Sequence, residues 1–339
     1  MGRLCLTLKN LKRKMFWAGR MAPLAAALSS VFGLLPAAHA EIVPIKNHSI
    51  YWLGGLYPSM DTPHIKEGPS PQLAFGFYYS SIFIDRGSPQ WSMLLDMELM
   101  ELSLSAKQAL HRNVEVGVEQ RIARLNGGFL DEFIISFHDL FGFPHYTGQK
   151  EAPRNRFKYR WRQGDNQWAA PYHNVFLLRD IELWLKFSFL RSRYFDAGLK
   201  ILVQAPTGSA LMGLSNGSPE GAIVLLLRTA LHPLTLNVNL GGVLPTTMRR
   251  AEPYPLQAVF FLDAALAYRF NQPWSLVAQL GIATSPLRDA GYFVLEQNWT
   301  HIVFALQYEW PNGEKIRVGF LEDLSGVSPD FTVAIRWGS

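Results

Sequence analysis

Gly213-Leu214-Ser215-Asn216-Gly217 carries the letters of a nucleophile elbow, the sharp turn that lifts a hydrolase serine above a sheet. That chemistry needs a strand before the serine, a helix after it, and an acid and a histidine brought near. Here the serine lies in a Gly/Pro/Ser-rich stretch leading into another apolar alternation, which predicts a loop. His111 with Glu115, His232 and His301 have no metal-ligand spacing, and no phosphate loop, dinucleotide fingerprint or calcium loop occurs. Asp323 and Asp330 could attract a divalent ion, but two acids in a loop are usually just solvated. The sequence therefore predicts no enzyme, no metal and no cofactor.

A second chemical pattern is Arg156-Phe157-Lys158-Tyr159-Arg160-Trp161-Arg162, with cations and rings in strict alternation. As a strand it presents Arg156, Lys158, Arg160 and Arg162 on one face and three rings on the other. It would bind lipid phosphates or an acidic solute, or line a pore entrance. Alternatively it is an extra hairpin, turned by Gly164-Asp165-Asn166, that extends a sheet.

Composition decides what elements position these residues. The 339 residues are 48% hydrophobic and 17% charged, with one cysteine, which excludes a disordered or disulfide-framed chain. Arg3, Lys9, Lys12, Arg13, Lys14 and Arg20 precede an apolar run from Met21 to Leu35 and then Ala38-His39-Ala40, the layout of a cleaved signal peptide over 1–40. Its removal takes the formal charge from +5 to −1, so a basic, nucleic-acid-binding protein is not indicated. The same cut removes Cys5 and leaves no thiol for zinc or nucleophilic catalysis.

No later stretch has eighteen apolar residues free of charge, so only a closed β-barrel could cross a bilayer. The apolar positions support one, because they recur at every second residue. Ile181, Leu183, Leu185, Phe187 and Phe189 alternate with Asp180, Glu182, Trp184, Lys186 and Ser188. Similar segments predict strands near 72–85, 91–105, 112–125, 177–189, 195–204, 222–231, 234–244, 257–270, 274–284, 298–310, 314–322 and 330–337. The reading is all-β: an antiparallel transmembrane barrel of about twelve strands, or fourteen if the Arg156–Arg162 hairpin joins. Links such as Pro311-Asn312-Gly313, Asn271-Gln272-Pro273, His232-Pro233 and Lys107 to Leu110 alternate with longer ones, matching short periplasmic turns and long outer loops. The barrel occupies 72–339 and 41–71 is a periplasmic N-terminal segment.

With this parity the lumen collects Asp96, Glu98, Glu115, Glu119, Arg121, Asp180, Glu182, Lys186, Lys200, Arg228, Asp263, Arg269, Lys315, Arg317 and Arg336. They either form a salt-bridged interior or line a polar path for solutes. The excursion 126–176 contains Leu130, Phe133, Ile134, Phe137, Leu140 and Phe141 at helical spacing, with Asp131 and Glu132 at its start and Gly142 and Pro144 at its end. This short amphipathic helix is expected to cap the mouth or fold into the lumen. Phe331, Val333, Ile335 and Trp337 resemble the closing-strand signal read by the barrel-assembly machinery, here followed by Gly338 and Ser339.

Gly127-Gly128-Phe129-Leu130-Asp131, Phe137-His138, Phe141-Gly142-Phe143-Pro144, Pro153-Arg154-Asn155, Arg179-Asp180-Ile181-Glu182-Leu183, Ala205-Pro206-Thr207-Gly208 and Ser328-Pro329-Asp330-Phe331-Thr332 resemble, in this order, the bacterial family catalogued as domain of unknown function 3187. The resemblance spans roughly residues 50 to 339 on these motif positions. It implies an outer-membrane barrel related to proposed small-molecule transporters, with no catalytic or ligand residues to carry over. The sequence reading is passage of a small-molecule solute controlled by the excursion, with a closed barrel meeting outer-membrane lipid, lipopolysaccharide or a partner through its loops as the alternative; a lipid hydrolase comes last, since it needs an apposed serine and histidine that the sequence does not identify.

Overall fold

The computed structural model describes residues 42–46, 48, 53–142, 148–249, 253–327 and 329–338. The leader expected over 1–40 lies outside the described residues. Strands β1 (Gln72–Gly87), β2 (Trp91–His111) and β3 (Val114–Asn126) are followed by helix α1 (Asp131–Phe141), then β4 (Lys158–Gln163), β5 (Asn166–Ala169) and β6 (Phe176–Leu178). The chain continues through β7 (Ile181–Arg191), β8 (Phe195–Ala205), β9 (Glu220–Leu231), β10 (Leu234–Leu244), β11 (Thr247–Arg249) and β12 (Pro253–Pro255). It ends with β13 (Val259–Asn271), β14 (Trp274–Ala283), β15 (Trp299–Glu309), β16 (Lys315–Asp323) and β17 (Phe331–Gly338).

Twelve of these strands form a closed antiparallel barrel in the order β1-β2-β3-β7-β8-β9-β10-β13-β14-β15-β16-β17. The ring shuts where β17 pairs with β1, from Ala74 opposite Gly338 to Ser81 opposite Phe331. Closure leaves the ring no unpaired edge, which is what a sheet needs in order to sit in hydrocarbon.

The two-residue period sorts side chains as expected. Leu183, Leu185 and Phe187 of β7 point outward and are exposed, while Glu182, Lys186 and Ser188 point inward and are buried. Leu236 and Leu240 of β10, Leu262 and Leu266 of β13, and Leu276 and Leu280 of β14 continue this outward belt. Trp274 meets Tyr308 edge to face near one rim, and Trp337 stacks on Phe75.

The Arg156–Arg162 segment does form a hairpin, β4–β5, with Gly164 at φ +56° in its turn. β4 pairs with the upper end of β2, from Trp91 opposite Gln163 to Asp96 opposite Lys158, so it heightens the wall without adding to the ring. Twelve strands, not fourteen, is the count. One turn lies elsewhere than expected: β2 runs through Lys107–Leu110 to His111, and the chain reverses at Arg112-Asn113.

Helix α1 ends where Gly142 adopts φ +72° and donates its N–H to the His138 carbonyl. It neither caps the mouth nor enters the lumen. It lies against the outer face of the wall, with Ile134 and His138 buried, and Phe137 packing on Phe320 of β16 and Phe331 of β17.

Candidate functional site

The interior has two halves. Toward the long loops it is apolar: Trp91, Met93, Leu95, Met97 and Leu99 of β2, Val224 and Leu226 of β9, Phe261 of β13 and Trp299 of β15 pack into one cluster. Met212, Leu214, Met248, Leu287, Leu295 and Val327 from the long loops complete it, together with Tyr159 and Trp161 of β4. Toward the short turns, inward positions are mostly charged, polar or small, with Tyr78 and Val277 among them.

The N-terminal segment runs through this interior. Val43, Lys46, His48, Leu53, Leu56, Tyr57 and Asp61 contact inward side chains around the ring, where the sequence suggests a periplasmic segment standing before the barrel. The Val43 N–H donates to Gln279 of β14 at 2.6 Å, and the Leu56 N–H donates to Glu220 of β9 at 2.6 Å. The Tyr57 hydroxyl donates to Asp263 of β13 at 3.0 Å, and the Asp61 N–H donates to Asn239 of β10 at 2.8 Å. Ile42, Val43, Ile45 and Met60 pack on Ala265, Ala267, Ala305 and Ala334. Alanines at inward positions leave the width that a second stretch of chain fills.

Ion pairs fasten the segment. The Asp61 carboxylate meets Lys200 at 2.8 Å and Lys186 at 3.3 Å, and Lys186 also pairs with Glu115 at 2.9 Å. Lys46 pairs with Glu182. His48 lies 3.2 Å from Glu101, which also pairs with Arg121 at 2.7 Å and with Arg179, and Arg179 donates to the Leu53 carbonyl at 2.7 Å. Arg121 reaches Glu119 at 3.0 Å, and Arg336 reaches Glu119 at 3.4 Å and Ser105 at 2.9 Å. Nearer the short turns, Arg228 pairs with Asp196 at 2.9 Å, Arg269 with Glu309 at 2.6 Å, and Arg317 donates to Gln307 at 3.0 Å. Buried charges are tolerable only when paired in this way.

Of the residues expected in the lumen, Glu115, Glu119, Arg121, Asp180, Glu182, Lys186, Lys200, Arg228, Asp263, Arg269, Lys315 and Arg317 are inward and buried, and Arg336 is inward and half-buried. Asp96 and Glu98 are a correction: they lie on the outward face of β2 and are buried because the excursion covers them. Glu98 accepts the N–H groups of Phe129 at 2.9 Å and Leu130 at 2.5 Å, and Asp96 pairs with Arg156 at 2.7 Å. Gly128, at φ +73°, brings this loop so close that a Cβ would collide with the Glu98 carboxyl. The inward acid of β2 is Glu101. Leu102 and Leu104 face outward, and that alternation, carried up the strand, identifies Glu101 as inward and Asp96 and Glu98 as outward.

The four cations of 156–162 differ in their surroundings. Arg156 is taken by Asp96, and Arg162 donates to the carbonyls of Ser88 at 3.0 Å and Pro89 at 3.1 Å. Arg160 is exposed and Lys158 half-exposed. The alternate rings turn inward, with Tyr159 and Trp161 buried. Phe331, Val333, Ile335 and Trp337 share the outward face of β17, Phe331 being buried beneath α1.

Ser215 lies in the loop expected for it. Its hydroxyl donates to Asp180 at 2.9 Å and accepts the Gly217 N–H at 2.9 Å, with no histidine among its partners in the described residues. Asp323 is occupied by the N–H groups of Ser325 and Gly326, at 2.8 and 2.6 Å. Asp330 accepts from Gln149 at 2.6 Å. Burial, reinforced by Asp323, Glu322, Asp131 and Asp96, pushes the Asp330 carboxyl well above its ordinary range.

An outer-membrane channel from Pseudomonas putida F1 has the same fold, with a TM-score of 0.53 and 10% identity over 84% of this chain and 99% of that one. The NanC porin gives 0.46 at 10% identity, covering 79% and 97%, and the KdgM porin 0.41 at 9%, covering 78% and 98%. Identities this low speak for the fold alone. No curated protein matches the chain. A family model described as protein of unknown function, DUF3187, matches residues 37–338, and the chain belongs to that family: a twelve-stranded barrel of the outer-membrane channel kind whose interior is occupied by its own N-terminal segment.

Proposed function

We propose that this protein passes a small molecule across the outer membrane and that segment 42–65, not the 126–176 excursion, controls access. The observation that carries this reading is the nature of what fills the lumen. Its described residues are irregular chain, tied to the wall by side-chain contacts and ion pairs rather than by strand pairing. Such a plug can leave without breaking the barrel. The apolar outer half of the interior suits a molecule with a substantial apolar part, which desolvates at low cost there.

In this reading residues 1–40 direct export, and a Gram-negative outer membrane is the destination. The β17 face of Phe331, Val333, Ile335 and Trp337 is presented to the assembly machinery, and the long loops meet lipopolysaccharide. A second reading, a permanently closed barrel serving surface interaction, is favoured by the packing of loop side chains such as Met248 and Leu295 into the apolar cluster.

Single-channel recording in planar bilayers separates the two. The full chain should open rarely, and a variant lacking 42–65 should show frequent, larger steps. Silence from a folded, inserted deletion variant would reject gating by the segment and favour the closed barrel.

A further inference from the structure

The outer face of the barrel is not apolar throughout. Where α1 covers it, the wall presents Ser81 of β1, Asp96 and Glu98 of β2, and Glu322 of β16, with Asp330 just before β17. The excursion supplies partners for part of this polar patch. His138 lies 3.2 Å from Glu322, Gln149 donates to Asp330 at 2.6 Å, and the Asp330 N–H donates to the Ser81 carbonyl at 3.0 Å.

At about 100° per residue, α1 divides into three arcs. One, with Asp131, Ile134, Ile135 and His138, faces the wall. A second carries Glu132, Ser136 and Asp139, and is tied to the returning chain by Arg154 to Glu132 at 2.9 Å and Lys150 to Asp139 at 2.8 Å. The third carries Phe133, Phe137, Leu140 and Phe141. Phe133 is 50% exposed, Leu140 77% and Phe141 59%, an apolar face on the side of the helix away from its polar partners. This arc continues the outward belt directly: Phe137 meets Phe320 at 6.0 Å, Phe133 meets Phe331 at 5.7 Å, and Phe129, leading into the helix, meets Tyr79 at 5.2 Å.

A helix in water buries its apolar arc against its protein. Here the wall-facing arc carries Ile134, Ile135 and His138, while Phe133, Leu140 and Phe141 stay exposed and Phe137 packs along the edge on Phe320 and Phe331. We infer that α1 is an interfacial lipid anchor: its Phe133–Phe137–Leu140–Phe141 arc sits among the acyl chains of the outer leaflet while its Glu132–Ser136–Asp139 arc faces water. An apolar arc beside a polar one is the arrangement of helices that lie in the plane of a membrane surface. The continuity with the barrel belt specifies lipid as the occupant, and the inference rests on the membrane reading given above.

The test places single nitroxide labels on Phe133→Cys, Leu140→Cys, Ser136→Cys and Leu266→Cys in a Cys5→Ser background. Leu266 lies outward on β13 and serves as the belt reference. Accessibility to oxygen and to a water-soluble nickel chelate is read in proteoliposomes of outer-membrane lipid, with heat-modifiable gel mobility confirming each fold. Positions 133, 140 and 266 should favour oxygen, and position 136 the chelate. If 266 favours oxygen while 133 and 140 favour the chelate, the anchor is refuted and the membrane barrel stands. If 266 itself favours the chelate, both fall.

Discussion

Asp61→Asn should free the N-terminal segment. Asp61 is the carboxylate shared by Lys186 and Lys200, at 3.3 and 2.8 Å, and its side chain is 21% exposed. Removing one partner of a fully buried pair costs about 3–5 kcal/mol, because a charge is left uncompensated. Three features reduce that figure. Asp61 retains some water, Lys186 keeps Glu115 at 2.9 Å, and Lys200 lies over the Trp184 ring at 4.7 Å. Roughly half of the penalty, about 2 kcal/mol, then falls on the seated state, which is about thirtyfold in an equilibrium constant. The Asp61 N–H bond to Asn239 is unaffected by the substitution, so the change isolates charge. The ratio of open to closed time in planar bilayers should rise by that factor, and Asp61→Glu should restore most of the closed state. An unchanged ratio in a folded Asp61→Asn barrel would refute the view that these ion pairs hold the plug.

Glu98→Ala removes the acceptor for two N–H groups at the start of α1, where Leu130 supplies no side-chain cap; the loss should be about 1–2 kcal/mol and appear as faster hydrogen exchange over 129–135. Asp330 has a folded pKa above its unfolded value, so its contribution to docking of the excursion is greatest in acid and is lost as pH rises through the folded value. Protease susceptibility of residues 148–157 should therefore increase with pH, and Asp330→Asn should flatten that dependence. Ser215→Ala gives up a bond to Asp180, lowering barrel stability by about 1 kcal/mol in thermal unfolding while conductance stays as in the parent; loss of a measurable lipid hydrolysis would instead make Ser215 catalytic.

The twelve strands were legible because period-two alternation depends on local sequence, and inward residues such as Glu182, Lys186 and Asp263 followed from it. Asp96 and Glu98 show the limit. A polar residue on a strand suggests the lumen unless something covers it outside, and what covers these two is the excursion, thirty or more residues further along the chain. The seated segment was hidden for a related reason. Residues 42–65 have no period, and the placement of His48, Lys46 and Tyr57 among them is determined by Glu101, Glu182 and Asp263, each held on a different strand. The alanines at 265, 267, 305 and 334 were the available sign: inward positions too small to fill a barrel by themselves.

The segment in the lumen is joined to β1 by only a few residues, and Lys66 and Gly68 receive bonds from Gln72 and Gln108 near the short-turn rim. On the proposed gating it would therefore leave its seat without diffusing away. Its local concentration is set by the length of that tether, in the millimolar range typical of short linkers, whatever the number of copies in the membrane. On the proposed gating, reclosure would be a first-order event belonging to each molecule, so the fraction of channels open would not depend on expression level, and a soluble peptide copying 42–65 would compete poorly with the one already attached.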